Sequence, residues 1–187
     1  RRLNNTKIEA LEAEQLHIGM DFNVGKMAAG VHVIRGEKVH AVSEFFKVFD
    51  TPALIRAIKA RYPGHPIMVY PDASGKSRKS VNASESDLSL LRDAGFNVLA
   101  HSKNPFVKDR IASVNRMLHK ENVRGYFVNV NNCPNLTESL EKQAYDKNGE
   151  PDKTSDFDHL TEAIGYFINY RWPIAKKSAI QTKISGL

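Results

Sequence analysis

The chain has 187 residues, with 27 Lys and Arg against 21 Asp and Glu, a formal net charge of +6 and an isoelectric point near 9.4. That length fits one α/β domain, and 41% hydrophobic with 26% charged residues is the balance of a globular chain; no apolar run approaches the ~20 residues of a bilayer span. A single cysteine, Cys133, excludes an internal disulfide and a Cys-based zinc cage and points to a reducing interior, while the basic excess favours a polyanionic partner, nucleic acid first.

Residues 1–16 read as a polar helical lead-in with Ile8 and Leu11 along one side, the end of an interdomain linker. The start at Arg1, without an initiator Met, points to a piece of a longer polypeptide. Three strands are expected next, at 17–22, 26–34 and 39–48, the second closing in the turn Arg35-Gly36-Glu37. Thr51 reads as an N-cap with Pro52 at the first helical position, followed by the stripe Leu54, Ile55 and Ile58 until Pro63-Gly64 stops the helix. Residues 67–70 are continuously apolar, the pattern of a central strand covered on both faces. A helix is expected over 84–93, ending at Ala94-Gly95, and a buried strand over 96–100. Val107, Ile111, Val114 and Leu118 recur at helical spacing. Residues 124–130 read as a strand, 136–145 as a helix and 146–156 as a polar loop. A last helix over about 158–170 carries Leu160, Ala163, Ile164, Phe167 and Ile168, and Pro173 ends it before a basic tail at 174–187. This order predicts an α/β domain over 17–173, a mixed central sheet flanked by helices on both faces.

Two segments imitate a nucleotide-binding loop, Gly25-Lys26 and Gly75-Lys76-Ser77. The glycine needed five positions before the second one is Met20 in the first and Tyr70 in the other, so neither can wrap its amides around a phosphate. The chemistry is expected elsewhere. Asp21 ends the first strand and Asp72 follows the fourth; if those strands are neighbours, the two carboxylates face each other across the crevice where open α/β sheets bind ligands. Anions that close repel unless a cation lies between them, and a third acid is available in Ser155-Asp156-Phe157-Asp158-His159, at the start of the last helix. Hard oxygen ligands suit Mg²⁺ or Mn²⁺. Two such ions, roughly 3.5–4 Å apart, activate a water and stabilise the leaving 3′ oxygen of a phosphodiester attack. Read blandly, Asp21 and Asp72 begin turns, Asp158 is the N3 acid of a capping box with Ser155 as its N-cap, and His159 merely starts a helix.

The arrangement of strand-one end, strand-four end and last-helix start resembles the RNase H-like nuclease half of tailed-phage large terminases, most closely those of headful-packaging, short-tailed enterobacterial phages. The residues that carry the likeness are His17-Ile18-Gly19-Met20-Asp21, Tyr70-Pro71-Asp72-Ala73-Ser74-Gly75, Asn104-Pro105-Phe106-Val107-Lys108-Asp109-Arg110-Ile111 and Asp158-His159-Leu160-Thr161-Glu162-Ala163-Ile164-Gly165-Tyr166. The last of these resembles an Asp-His-x-x-Asp-Ala-x-x-Tyr pattern, with Glu162 in place of the second Asp. The resemblance implies an RNase H-like fold and a two-metal endonuclease of little sequence specificity that cuts concatemeric viral DNA during packaging. It also implies Asp21, Asp72 and Asp158 as catalytic metal ligands for Mg²⁺ or Mn²⁺, with Asp156 the alternative third. The partners implied are double-stranded DNA, an ATPase domain of the same polypeptide, the portal protein and the small terminase subunit. The place implied is the procapsid portal in the host cytoplasm, with no membrane.

Cations surround these acids in sequence. Lys76, Arg78 and Lys79 follow Asp72 on a Gly/Ser-rich loop suited to backbone phosphates, and Lys108, opposite much of the apolar stripe of its helix, forms with Lys103, Arg110 and Arg116 a second set. The competing readings are an RNase H-like junction resolvase or transposase-type enzyme, and a non-catalytic DNA-binding or assembly module whose acids are structural.

Overall fold

The computed structural model describes residues 2–23, 25–76, 78–79, 82–147, 150–154 and 156–174. Three consecutive strands, β1 (Leu16–Asp21), β2 (Met27–Arg35) and β3 (Lys38–Val48), form an antiparallel meander. Helix α1 (Thr51–Arg61) leads to β4 (Ile67–Pro71), which lies parallel to β1. A short hairpin, β5 (Arg78–Lys79) with β6 (Asn82–Ser86), precedes α2 (Asp87–Asp93) and β7 (Asn97–Val98). The chain continues through α3 (Val107–Leu118), β8 (Tyr126–Val128), α4 (Pro134–Lys142) and α5 (Asp158–Arg171). The main sheet is mixed and runs β7-β4-β1-β2-β3-β8.

Helices cover both faces, as the binary pattern requires. On one face Leu16, Ile18, Met20 and Val69 pack with Leu54 and Ile58 of α1 and Leu88 and Leu91 of α2. On the other, Ala28, Ala41 and Tyr70 pack with Val114 of α3, Leu136 of α4 and Leu160, Ala163, Ile164 and Phe167 of α5. That second layer also buries His17, whose Nδ1 is 2.8 Å from the Tyr70 hydroxyl, and His32. His32 Nδ1 donates to the His17 carbonyl at 3.0 Å, so its Nε2 is left to accept from the Tyr126 hydroxyl at 2.9 Å. Burial pushes both imidazoles down, His17 to about 4 and His32 to about 3.

Five local expectations are corrected or bounded. In place of a lead-in helix, residues 2–15 hold a 3₁₀ turn at Arg2–Asn4, after which Asn5 and Thr6 pair beside β8, because long-range bonds (Thr6 N–H to the Val128 carbonyl at 3.0 Å, Asn4 Nδ2 to the Tyr126 carbonyl at 2.8 Å) outweigh local helix propensity. The α1 cap is Asp50, whose carboxylate accepts the Ala53 N–H at 2.8 Å, because the Thr51 hydroxyl is drawn to Asp87 at the start of α2. The helix expected from residue 84 begins only after Ser86, whose hydroxyl accepts the Ser89 N–H, and the basic stretch before it holds the β5–β6 hairpin rather than a plain loop. The strand expected over 96–100 is two residues long and lies at the sheet edge, half-buried. Of the expected tail at 174–187, residues 175–187 lie outside the described residues.

Candidate active site

Alternation along a strand sorts its side chains between the two faces. On β1, Leu16, Ile18 and Met20 enter the layer beneath α1 and α2, leaving His17, Gly19 and Asp21 on the α5 side. On β4 the same period leaves Tyr70 on that side, with Asp72 two residues on. Because β1 and β4 are parallel with Met20 beside Pro71, Asp21 and Asp72 leave adjacent strand ends together, and Asp72 N–H donates to the Met20 carbonyl at 3.0 Å. Both carboxylates are nearly buried, at 6% and 8% exposure.

Helix α5 can approach these strand ends because β1 carries Gly19. A Cβ there would lie 2.1 Å from the Ala163 carbonyl oxygen, so only glycine lets the helix backbone settle onto the strand. The first residue of α5 is Asp158, 4% exposed, with Oδ1 buried and without a hydrogen-bond partner among the described residues. The capping-box reading of Asp158 fails: it stands at N1, the residue before it is Phe157, and no side-chain cap bond is made. Ser155, its expected cap, lies outside the described residues. Asp156 lies before the helix with φ +57° and is neutralised by Lys26 at 2.6 Å and Lys47 at 3.3 Å, the Lys26 bond foremost in holding its carboxyl below the ordinary value.

His159 does more than start a helix. Its Nδ1 is 3.2 Å from Asp21 Oδ2 and its Nε2 3.8 Å from Asp156 and 4.0 Å from Asp158. The bond to Asp21, aided by the other carboxylates, raises its pKa although burial opposes this. One turn on, Glu162 lies 3.8 Å from Arg110 and 3.4 Å from Lys153, and its buried Oε1 accepts no hydrogen bond from the described residues. Burial first, then the charges of Asp21 and Asp158, push its carboxyl up, against the pull of Arg110 and Lys153. Asp72 is held differently: Ser74 N–H donates to its Oδ1 and Ser74 Oγ to its Oδ2, both at 2.7 Å, and Asn104 Nδ2 also donates to Oδ1.

Asp21, Asp72, Asp156, Asp158 and Glu162 thus line one open depression of about 320 Å³, together with Lys26, Lys153 and His159. Five carboxylates against two lysines make it locally negative in a chain of net charge +6. Hard oxygen donors, among them the buried Asp158 Oδ1 with no hydrogen-bond donor among the described residues, fit a divalent cation. Among the described residues no three His, Cys, Asp or Glu side chains converge as a finished metal cage.

The structure brings Asp21, Asp72 and Asp158 to one depression, to which the sequence reading had not assigned Lys26, Lys153 or the contact of Asn104 with Asp72. Gly25-Lys26 sits in the turn between β1 and β2, and Gly75-Lys76 in a 3₁₀ turn, so neither opens a phosphate-binding helix. Lys108 is exposed in the first turn of α3, 5.8 Å over the Phe106 ring, four residues beyond Asn104. Arg110, grouped with it in sequence, is instead buried against the Tyr166 ring at 4.3 Å. The side chains of Lys76, Arg78 and Lys79 lie outside the described residues.

Solved structures share this architecture. The large terminase of a thermophilic bacteriophage, in complex with ATP-gamma-S, aligns with a TM-score of 0.63 at 18% identity over 86% of this chain and 41% of its own. The nuclease domain of the P22 large terminase aligns with a TM-score of 0.62 at 17% identity, covering 89% of this chain and 86% of that one. The nuclease domain of the SPP1 large terminase, with bound Mn, gives 0.59 at 17% identity, covering 90% and 97%. The chain therefore spans about two fifths of the thermophilic phage protein. No curated protein matches it significantly. The profile of the terminase RNase H-like domain matches residues 18–171, nearly the whole sheet with all five helices, and the chain belongs to that family.

Proposed function

We propose that the chain is a divalent-metal-dependent endonuclease domain that cuts double-stranded DNA during viral genome packaging, with little sequence preference. The observation that carries this reading is the pair of buried strand-end aspartates, Asp21 and Asp72, beside Asp158 with its unpartnered Oδ1. Membership of the terminase RNase H-like family and the Mn bound in the SPP1 nuclease domain support it.

Asp21, Asp72 and Asp158 would hold Mg²⁺ or Mn²⁺, with Glu162 adding a fourth carboxylate on the same wall. A bound pair of such ions supplies an activated water and charge stabilisation at the leaving 3′ oxygen. The chain's own residues do the rest. Asp156 is engaged by Lys26 and Lys47, which supports Asp158 over it as the third ligand. Lys26 and Lys153, on the depression's rim, would meet the phosphates flanking the scissile bond, and Lys76, Arg78, Lys79 and Lys108 would extend that track. His159, tied to Asp21, orients that carboxylate. The packaging role further implies an ATPase domain in the same polypeptide, the portal protein and small terminase subunit as partners, and the procapsid portal in the host cytoplasm as the place of action.

Supercoiled plasmid tests the reading. With Mg²⁺ or Mn²⁺ the protein should nick and linearise it, in excess EDTA it should not, and Asp21→Asn should abolish cutting while the fold persists. Undiminished cutting in EDTA, or by Asp21→Asn, refutes it. A marked preference for branched over linear duplex would favour a resolvase instead.

A further inference from the structure

Among the described residues, Asp72 is the one acid of the depression whose oxygens are extensively bonded by neutral protein donors. An ionised carboxylate offers about four lone-pair sites, two on each oxygen. Here Oδ1 accepts from both the Ser74 N–H and Asn104 Nδ2, and Oδ2 accepts from Ser74 Oγ. Three sites are filled by these donors, and one, on Oδ2, is left.

Asn104 comes from the loop before α3, more than thirty residues from Asp72 in sequence. Its amide is used at both ends, since Oδ1 accepts the Ala73 N–H at 2.8 Å while Nδ2 reaches Asp72. That pairing fixes which end of the amide faces the carboxylate: the oxygen is committed to a backbone donor, so the Asp72 side receives N–H. An exposed asparagine spends rotamer freedom to sit in one orientation, and a two-ended bond overcomes that cost where a single surface bond would not.

We infer that Asn104 is a positioning residue for Asp72, locking its carboxylate plane so that a metal ion meets the single free lone pair of Oδ2. This inference rests on the metal-nuclease reading above. It assigns to the loop before α3 a role that the bare acid constellation does not contain. A metal ligand must be held within about half an ångström, and an aspartate just past a strand end does not achieve that through its backbone alone. Ser74 bonds Asp72 from only two residues away and moves with it, whereas Asn104 ties it to a separate element.

The test is Mn²⁺ binding by calorimetry, without DNA, on the wild type, Asp72→Ala, Asn104→Ala and Asn104→Ser, with melting in EDTA alongside. Serine is too short to reach Asp72 yet keeps a polar group near the Ala73 N–H. Loss of such outer contacts typically weakens metal affinity about 10–100-fold, and both Asn104 variants should fall in that range. They should melt close to wild type, and their nicking should recover to within a few-fold at saturating Mn²⁺. Wild-type affinity in both Asn104 variants, with Asp72→Ala impaired, overturns this inference and leaves the nuclease reading standing. Failure of the wild type itself to bind Mn²⁺ overturns both. Unfolding of both Asn104 variants at the assay temperature would make Asn104 a folding residue and overturn the inference as well.

Discussion

Gly19→Ala is a single-methyl test of how the site is assembled. The added Cβ would lie 2.1 Å from the Ala163 carbonyl oxygen, about 1.3 Å inside the 3.4 Å where ordinary contact begins, and 3.1 Å from the Phe167 Cβ. The obstacle is helix backbone, so no rotamer change relieves it, and α5 must slide or tilt away from β1. Overpacking of this kind costs roughly 1–3 kcal/mol, with the upper end expected for a backbone clash. For a domain of this size that lowers the melting temperature by about 6–12 °C. The displacement carries Asp158, His159 and Glu162 with it, and a shift of about 1 Å among catalytic groups costs on the order of a hundredfold in rate. Calorimetric melting and plasmid nicking well below the transition measure the two effects separately. A variant with wild-type melting and wild-type nicking would refute the claim that close β1–α5 contact builds the site.

Asp158→Ala should abolish cleavage and weaken Mn²⁺ binding, whereas Asp156→Ala should retain appreciable activity because its carboxylate is engaged by Lys26 and Lys47; a dead Asp156→Ala enzyme with an active Asp158→Ala enzyme reverses the assignment. His17 and His32 have folded values of about 4 and 3 against 6.5, so between these limits the unfolded chain binds more protons and stability falls as pH drops below 6.5. At pH 5 each should have removed about 2 kcal/mol relative to pH 8. His159, raised by Asp21, works the other way, its contribution present below pH 6.5 and lost as pH rises through its folded value, so urea unfolding is best measured on His159→Asn as well. A flat profile from pH 8 to 5 in that variant contradicts the buried-imidazole account. Neutralising Lys76, Arg78 and Lys79 together should weaken binding to unrelated duplexes alike and flatten the dependence on salt; a sequence-selective loss would mean that this segment reads bases.

The meander, the central strand β4 and helices α3 and α5 are legible in the sequence because burial on a repeating face imposes a period, as Leu160, Ala163, Ile164 and Phe167 show on α5. The β5–β6 hairpin leaves no such trace: residues 78–86 are mostly Ser, Asn and charged types with little apolar alternation, held by backbone pairing. The apolar run Phe96, Val98, Leu99 has the pattern of a strand buried on both sides, yet Phe96 is the residue that enters the core while Val98 sits half-covered on the sheet edge. The lead-in is illegible because its conformation comes from partners more than a hundred residues away, such as Asn4 with Leu118 and Tyr126. The same contrast holds at the site. Asp21, Asp72 and Asp158 occupy strand ends and a helix start, positions that topology brings together. Asn104, Lys26 and Lys153 reach the acids from turns and loops, where no periodicity forecasts a neighbour.

The most direct test of the central claim is an anomalous difference map from a crystal of this domain soaked in Mn²⁺ at a concentration that supports cleavage. The account predicts density bounded by Asp21, Asp72 and Asp158, with Asp156 still on its lysines and Asn104 still on Asp72. Density confined to other residues, or none between Asp21 and Asp72 at that concentration, would contradict it.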